Sequence, residues 1–174
     1  MTSKIKFHLA AYALLLLTIC SSCISYSLSG VTIAADIKTI SIQNLENSAG
    51  EGPSNLTQLV TNNLKNFYRR NTNLTMLQSD GDLQLEGQIV SFTITPAAVQ
   101  REGNVDVAGL NRLTMGVQIR FVNTKDPEQD FDQLFTISQD FPQNIDITQI
   151  PTATIDELSE RLNAEVFNKT VANW

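Results

Sequence analysis

Apolar side chains recur at helical spacing in a first segment of the chain, between residues 56 and 68. They form one stripe and polar side chains occupy the other side, as in a helix that covers a sheet. Pro53, followed by Ser54 or Asn55 as N-cap, indicates where this helix begins, and Asn71 predicts a left-handed stop at its end. A stripe that binds a partner helix is the alternative, but the strands that follow need a covering layer. The stripe consists of Leu56, Leu59, Val60, Leu64, Phe67 and Tyr68.

A second amphipathic helix is predicted near the end of the chain. The run 154–157 has the pattern of a capping box, with a glutamate at the third helical position, and the helix should end near residue 171. Asp156, Glu157 and Glu160 fall in its first turn, where capping and the helix dipole explain them better than acid–base catalysis does. One face of this helix is lined by Ile155, Leu158, Leu162, Val166 and Phe167.

One strand before the first helix and one or two strands after it are predicted next. Residues 37–42 include β-branched apolar side chains and predict a first strand. Residues 74–77 and 83–94 follow the first helix, and Asp80-Gly81-Asp82 is either a turn between two strands or a bulge within one long strand. The alternation of apolar residues changes phase within 83–94, near Gly87, which predicts a bulge or a strong local twist.

The clearest strand pattern lies over residues 113–121. Apolar and polar residues alternate there, as they do in a strand with one buried face. The polar segment 95–109 before it predicts a loop or a hairpin tip, and residues 123–130 predict a turn around Pro127 that leads into a strand over 131–138. The side chains expected to point inward are Leu113, Met115, Val117, Ile119 and Phe121, and those expected to point outward are Thr114, Gln118 and Arg120.

The predicted order of elements is β-α-β-β-β-α. One apolar face on each strand and one on each helix favour an α+β fold, a two-layer sandwich in which a mostly antiparallel sheet is covered by two helices. The sequence contains no internal repeat. We expect a single domain over residues 36–174.

The first residues of the chain resemble a secretory signal with a lipid-attachment site. Lys4 and Lys6 precede an apolar run of about a dozen residues, which is short for a membrane span. The small residues Ser21 and Ser22 precede Cys23, as in a bacterial lipobox. Cys20 follows the β-branched Ile19, which does not suit a signal peptidase that needs small side chains before the cleavage site. Cys23 is therefore the preferred lipidation site. We expect residues 1–22 to be a signal peptide and residues 23–35 a lipidated tether that carries acyl chains such as palmitate.

Charge and composition exclude several classes of protein. The chain carries 12 basic and 18 acidic side chains, and loss of Lys4 and Lys6 with the signal changes the net charge from −6 to −8, which disfavours nucleic-acid binding. His8 is the only histidine, and Cys20 and Cys23 are the only cysteines. The mature chain therefore cannot build a Ser-His-Asp triad, a Cys-His pair or a zinc site from His and Cys. We expect no enzyme and no cofactor, although a hydrolase that uses only carboxylates is formally possible.

Two further sets of charged residues are candidates for binding. Asp126, Glu128, Asp130 and Asp132 superficially resemble a calcium loop, but the Gly and Glu that an EF-hand needs are missing, so a solvated acidic hairpin is preferred. Arg101 and Arg112 bracket the polar loop and could receive an anionic ligand such as a lipid phosphate. Solvated loop ends are the simpler interpretation of these two arginines.

Several stretches together resemble the LptE family of lipopolysaccharide-assembly lipoproteins. The resemblance begins at Cys23 and continues in order over residues 26–30, 38–42, 82–89, 111–115 and 167–174. It implies a two-layer sandwich of a sheet and two helices. It also implies a lipoprotein anchored in the outer membrane, facing the periplasm, that plugs and helps assemble the large β-barrel translocon LptD for the delivery of lipopolysaccharide. Direct contact with lipopolysaccharide at Arg101 and Arg112 is a further expectation, from their position alone.

A lipoprotein that carries a lipid or a peptide through the periplasm is the alternative function. Such a carrier needs a cavity lined by apolar side chains, which could lie between the two layers. The polar residues at the outward positions of the strand over 113–121 give this alternative no support. The partner that the resemblance implies is an LptD-like barrel, which we expect in a one-to-one complex.

Overall fold

The computed structural model describes residues 33–97, 109–145, 150 and 152–171. These residues form six strands, two helices and one short 3-10 turn, Pro127–Gln129, and the predicted α+β class is confirmed. The helices are α1 (Leu56–Asn71) and α2 (Thr152–Thr170). The strands are β1 (Thr39–Ile42), β2 (Glu46–Asn47), β3 (Thr75–Leu77), β4 (Leu83–Ala97), β5 (Leu110–Asn123) and β6 (Phe131–Pro142).

The strands form one mixed sheet in the order β3-β1-β4-β5-β6, and β2 pairs with β4 further along that strand. The long strands β4, β5 and β6 pair antiparallel, as predicted. The short strands are parallel to their neighbours: β1 pairs with both β3 and β4, and β2 with β4. The parallel edge follows from connectivity, because a helix between two strands allows them to run in the same direction.

Both helices contribute to the core that covers one face of the sheet. All five inward residues predicted for β5 are buried, as are the five apolar residues predicted for α2. Tyr68 of α1 lies edge-on against Phe167 of α2, and its hydroxyl hydrogen-bonds Thr170. Burial raises the pKa of Tyr68, so this hydroxyl stays neutral at any ordinary pH. Asn63 donates to Asp156 across the helix pair at 2.8 Å.

Both predicted helix signals need correction. Asn71 is the last residue of α1, and the stop is made by Thr72 in extended conformation, whose N–H and hydroxyl both donate to the Tyr68 carbonyl. The capping box at Thr154 is wrong because α2 begins at Thr152, and Thr154 is already helical and buried. Asp156, Glu157 and Glu160 are therefore not in the first turn of α2, as was predicted, and Asp156 instead accepts a hydrogen bond from α1.

The ambiguity at residues 80–82 resolves as a turn between two strands. β3 and β4 are separated in the sheet by β1, and Asp80 adopts a left-handed conformation with φ of 56°. The predicted irregularity within β4 is confirmed, but the register shifts between Ile89 and Ser91 rather than at Gly87. Gly87 instead allows β4 to approach β5 closely, since a Cβ at this position would lie 2.4 Å from the Gln118 carbonyl oxygen.

Several predictions fall wholly or partly on residues outside the described ranges. These are the signal peptide (1–22), most of the tether (23–35), Cys23 and Arg101. The first three residues of the predicted loop 95–109 belong instead to β4, which extends to Ala97, and β5 begins at Leu110. Residues 98–108 lie outside the description.

Candidate interaction face

The helices cover one face of the sheet, and the outward side chains of β4, β5 and β6 form the other, which we call the open face. On β5, Thr114 and Gln118 are half-buried and Arg120 is exposed, whereas Leu113, Met115 and Ile119 on the same strand are buried. Strand geometry requires this, because successive side chains point to opposite faces. The open face is built from Glu86, Val90, Arg112, Thr114, Gly116, Gln118, Arg120, Asp132, Leu134, Ser138 and Asp140.

Cross-strand ion pairs neutralise both arginines of the open face. Arg112 and Asp140 are register partners on β5 and β6, and the guanidinium donates to both carboxylate oxygens at 2.7 and 2.8 Å. This hydrogen bonding holds the pKa of Asp140 below its usual range. Arg120 and Glu86, register partners on β5 and β4, approach to 2.7 Å. Opposite charges directly across a ladder thus cancel within the sheet.

Arg112 is the one predicted ligand-binding arginine within the described residues. Its side chain is half exposed and it already holds Asp140 in a bidentate pair. An anionic ligand would therefore have to share this guanidinium with Asp140 or displace the carboxylate. Contact with lipopolysaccharide at Arg112 stays a prediction.

Three residues at the centre of the open face form an apolar island: Val90, Gly116 and Leu134. Val90 is 38% exposed and Leu134 is 50% exposed. A Cβ placed on Gly116 would lie 3.5 Å from Val90 Cγ2 and 3.5 Å from Leu134 Cδ1, so the glycine lies between the two side chains. The register shift explains why an apolar residue is exposed at Val90. This extra residue of β4 lies between the buried residues Ile89 and Phe92, where the alternation changes phase.

Hydrogen-bonded polar pairs surround the apolar island. The Thr114 and Ser138 hydroxyls lie 2.8 Å apart across β5 and β6. Gln118 donates to Asp132 across the same two strands. A small apolar centre within a polar, internally satisfied rim is the anatomy of many protein interfaces.

The sequence analysis did not predict the apolar island, although the outward position of one member, Leu134, could have been predicted. Buried residues on β6 are Phe135, Ile137 and Phe141, so Leu134 occupies an outward position by alternation alone. The outward position of Val90 could not be predicted from the sequence, because it depends on where the bulge lies. The pairing of the two arginines could not be predicted either, because it depends on the register of three strands.

Within the 126–132 segment, for which the sequence predicts a solvated acidic hairpin, Asp126 and Asp130 have structural partners. Asp126 accepts from the Glu128 N–H as the cap of the 3-10 turn. Asp130 accepts from the Asn123 N–H at 2.7 Å. Across residues 33–97, 109–145 and 152–171, no group of three or more His, Cys, Asp or Glu side chains is arranged to hold a metal ion.

Neither described helix has the length and apolarity needed to cross a membrane.

Comparison with protein families gives one match that covers most of the chain. The model of the LptE family, described as lipopolysaccharide-assembly, matches residues 37–170. A comparison with curated protein sequences gives no significant match.

Solved structures with the same fold include two bacterial proteins. A hypothetical protein from Chlamydia trachomatis is 9% identical and superposes with a TM-score of 0.54, over 78% of this chain and 99% of its own. A protein from Xanthomonas campestris is 10% identical with a TM-score of 0.51, over 82% of this chain and 91% of its own. At these identities the likeness shows the fold alone.

Proposed function

The chain belongs to the LptE family of lipopolysaccharide-assembly proteins, and from that premise we propose that it is an outer-membrane lipoprotein that plugs and helps assemble an LptD-like β-barrel. The family assignment supports a lipopolysaccharide-assembly lipoprotein without enzymatic activity. The pairing with a barrel and the outer-membrane location are our extension of it.

The open face is the observation that carries the proposal. It extends over three long strands and neither of the two described helices covers it. Its two arginines are paired with carboxylates, and its centre is the apolar island. Such a face has little net charge with which to attract an anionic glycolipid. Contact with a protein wall would bury Val90 and Leu134 without leaving Arg112 or Arg120 unpaired.

The alternative of a lipid or peptide carrier receives little support from the packing between the layers. Side chains of both helices and of the sheet fill that space, and Leu64, Met115 and Leu162 are at most 1% exposed. A carrier would need room there for its cargo. Plugging and scaffolding need only a rigid, well-packed body.

Recovery of partners from membranes tests the proposal. Tagged full-length protein would be purified from mildly solubilised outer membranes, and its stoichiometric partners identified by mass. We expect a large β-barrel protein at one to one with the wild type, and its loss with Leu134→Asp, which places a charge in the apolar island. Leu77→Asp, at an exposed leucine on the edge strand β3, which β1 separates from the three strands of the open face, is the matched control and should retain the barrel.

Each result has a definite meaning. A wild-type protein that is recovered without any barrel overturns the plug. Loss of the barrel in both leucine variants would mean that the open face is not the specific contact. Unchanged recovery with Leu134→Asp would also remove the open face from the interface.

Lipidation at Cys23 is the second part of the proposal. Cys23→Ser should abolish incorporation of labelled palmitate and leave the signal peptide uncleaved, whereas Cys20→Ser should be lipidated normally. Mass spectrometry of the N-terminal peptide distinguishes the two. Normal lipidation of Cys23→Ser would move the anchor to another residue.

A further inference from the structure

Strand β6 forms one edge of the sheet over a long distance. It has 12 residues, Phe131–Pro142, and among the described strands it pairs with β5 alone. An edge strand presents a row of backbone N–H and C=O groups that can pair with a second chain, and proteins usually block such a row. The edge of β6 therefore needs an account of which groups are blocked and which are not.

The register with β5 decides which backbone groups of β6 face the edge. Gln143 directly follows β6, and its N–H donates to the carbonyl of Gly109, directly before β5, at 2.9 Å. In an antiparallel ladder, residues that bond the neighbouring strand alternate with residues that point the other way. The odd-numbered residues of β6 therefore bond β5, and the even-numbered residues direct their N–H and C=O groups to the edge.

The chain itself blocks both ends of this edge. At the first end, the Asp130 N–H donates to the Pro127 carbonyl within the 3-10 turn at 3.2 Å. At the other end, Arg161 of α2 donates to the Ser138 carbonyl at 2.7 Å, and Pro142 has no N–H to offer. Asp130, Ser138 and Pro142 are all even-numbered, as the register requires.

Three residues between these ends form what we call the free edge: Asp132, Leu134 and Thr136. All three are exposed, and Leu134, in the middle, is 50% exposed. Among the described residues, no group hydrogen-bonds the backbone N–H or C=O of these three on the side away from β5. The free edge is thus a short row of available donors and acceptors with a leucine at its centre.

The free edge is complementary to itself. Two copies that meet antiparallel about a twofold axis at Leu134 would pair Leu134 with its own mate and Asp132 with Thr136 of the other copy. Each of these pairs exchanges two backbone hydrogen bonds, so the pairing uses every available group of both copies. An axis at Gln133 or Phe135 would instead engage Asp130 or Ser138, whose edge groups are already bonded.

Charge favours the same register. With the axis at Leu134, each Asp132 faces a threonine, and the two leucines lie opposite each other with Cβ atoms about 4.5–5.5 Å apart. An axis at Asp132 would oppose that carboxylate to its own mate. An axis at Thr136 would oppose Asp132 to Asp140. Like charges directly across a ladder are destabilising, so both neighbouring registers are disfavoured.

We propose that the protein forms a symmetric dimer in which the free edges of two copies pair antiparallel about Leu134, so that the two sheets become one. The dimer covers the exposed leucine and satisfies the backbone groups of the free edge. It does not rest on the proposed function. Because Leu134 also belongs to the apolar island, the second copy and a barrel would compete for the same side chain.

The number of chains in the purified protein tests the dimer. Full-length protein in an uncharged detergent would be measured by native mass spectrometry at a series of concentrations, and the wild type should change from monomer to dimer as its concentration rises. Thr136→Pro removes an edge N–H that β5 does not use, and should raise the dimer Kd roughly tenfold or more. Thr136→Val keeps this N–H, so it is the matched control and should dimerise like the wild type.

A second pair of variants tests the contact without changing the backbone. Leu134→Asp places two carboxylates opposite each other at the axis and should abolish the dimer. Leu77→Asp, at an exposed leucine on the opposite edge of the sheet, should dimerise like the wild type. A cooperative melting transition of Thr136→Pro confirms that it is folded, and Leu134→Asp tests the dimer independently of that variant.

A cysteine at the axis tests the register. The Cα atoms of a hydrogen-bonded pair lie about 5.5 Å apart, a distance that a disulfide can span. Under mild oxidation, Leu134→Cys should therefore give a disulfide-linked dimer. Glu128→Cys, in the 3-10 turn six residues earlier, should not, because its mate would lie at the far end of the paired strands. The wild type is the blank for the native cysteines.

Three outcomes overturn the proposal. They are a wild type that stays monomeric at every concentration, a dimer that Thr136→Pro retains with unchanged Kd, and equal cross-linking of the two cysteine variants. Since no barrel is present in these experiments, failure of the dimer and failure of the proposed barrel partner are independent results.

Discussion

The two faces of one sheet meet different surroundings in this protein. On β5, Leu113 and Met115 point into the core and are fully buried, while Thr114 between them points to the open face and bonds Ser138. The inward face is continuous and apolar. The outward face pairs its two arginines with carboxylates within the sheet and exposes a small apolar island. Burial on the inward face stabilises the fold, whereas the outward face of the described strands is only partly buried.

The same substitution on opposite faces provides the sharpest test of this division. Leu113→Ala should lower the free energy of unfolding by about 2–5 kcal/mol, because it leaves a cavity in the core. Leu134→Ala removes a side chain that is 50% exposed and should cost less than about 1 kcal/mol. Urea unfolding of both variants measures the difference. Equal losses would mean that the apolar island is part of the stabilising core.

Two glycines extend the comparison to backbone packing. Gly87→Ala should cost about 1–3 kcal/mol, because the new Cβ would lie 2.4 Å from the carbonyl oxygen of Gln118, which β pairing holds in place. Gly116→Ala meets only the Ser91 hydroxyl at such short range, and that side chain can rotate. Gly116→Ala should therefore unfold at nearly the wild-type urea concentration. A large loss at Gly116 would show that the open face is as tightly packed as the core.

Substitution of Asp82 tests whether side-chain hydrogen bonds, rather than burial of apolar groups, stabilise β1 at the parallel edge of the sheet. Its Oδ2 accepts from the Lys38 N–H, the Thr39 N–H and the Thr39 hydroxyl at 2.8–3.0 Å, and Lys125 lies 3.1 Å from Oδ1. These contacts, the Lys38 N–H above all, hold the pKa of Asp82 well below its usual range. Its contribution to stability is therefore present above the unfolded pKa of about 4 and is lost as pH falls from there through the folded pKa.

Asp82→Asn should accordingly be less stable than the wild type at neutral pH, and the difference should shrink as the pH is lowered below about 4. Urea midpoints at a series of pH values measure it. Asp80→Asn, at the left-handed turn position where Asn is equally suited, is the control and should show no such convergence. A constant difference for Asp82→Asn would mean that its carboxylate charge is not what stabilises β1.

The smallest expected effect is at the ion pair of Arg112 and Asp140. Both side chains are substantially exposed, so solvent and salt screen their attraction. Arg112→Gln, Asp140→Asn and the double variant should all melt near the wild-type temperature. A double-mutant cycle that gives strong coupling would contradict the view that this pair merely neutralises the open face.

Strong periodicity is what made parts of this fold predictable. The stripes of α1 and α2 and the alternation on β5 repeat over many residues, so burial of Leu64, Leu162 and Val117 follows from spacing alone. β2 has two residues and no such signal, and it was not predicted, whereas β3 has three residues and was predicted from residues 74–77. Their parallel pairing arises from the path of the chain through α1. Local signatures were less reliable: the capping pattern at Thr154 lies inside a helix.

The candidate surfaces were predictable only in part. The polar character of Thr114, Gln118 and Arg120 was readable from alternation. The ion pairs depend on strand register, and the island depends on the position of the bulge at Val90.

The place of β1 in the sheet has a consequence for the time course of folding. β4, β5 and β6 are successive hairpin partners, whereas β1 must insert between β3 and β4, whose paired residues lie about forty positions away in the chain. Closing that long loop costs entropy before any pairing compensates for it. We expect the three-stranded meander to acquire protection from hydrogen exchange first and β1 to acquire it last. Until β1 is in place, the backbone N–H and C=O groups along that edge of β4 have no partner and can pair with a strand from another molecule.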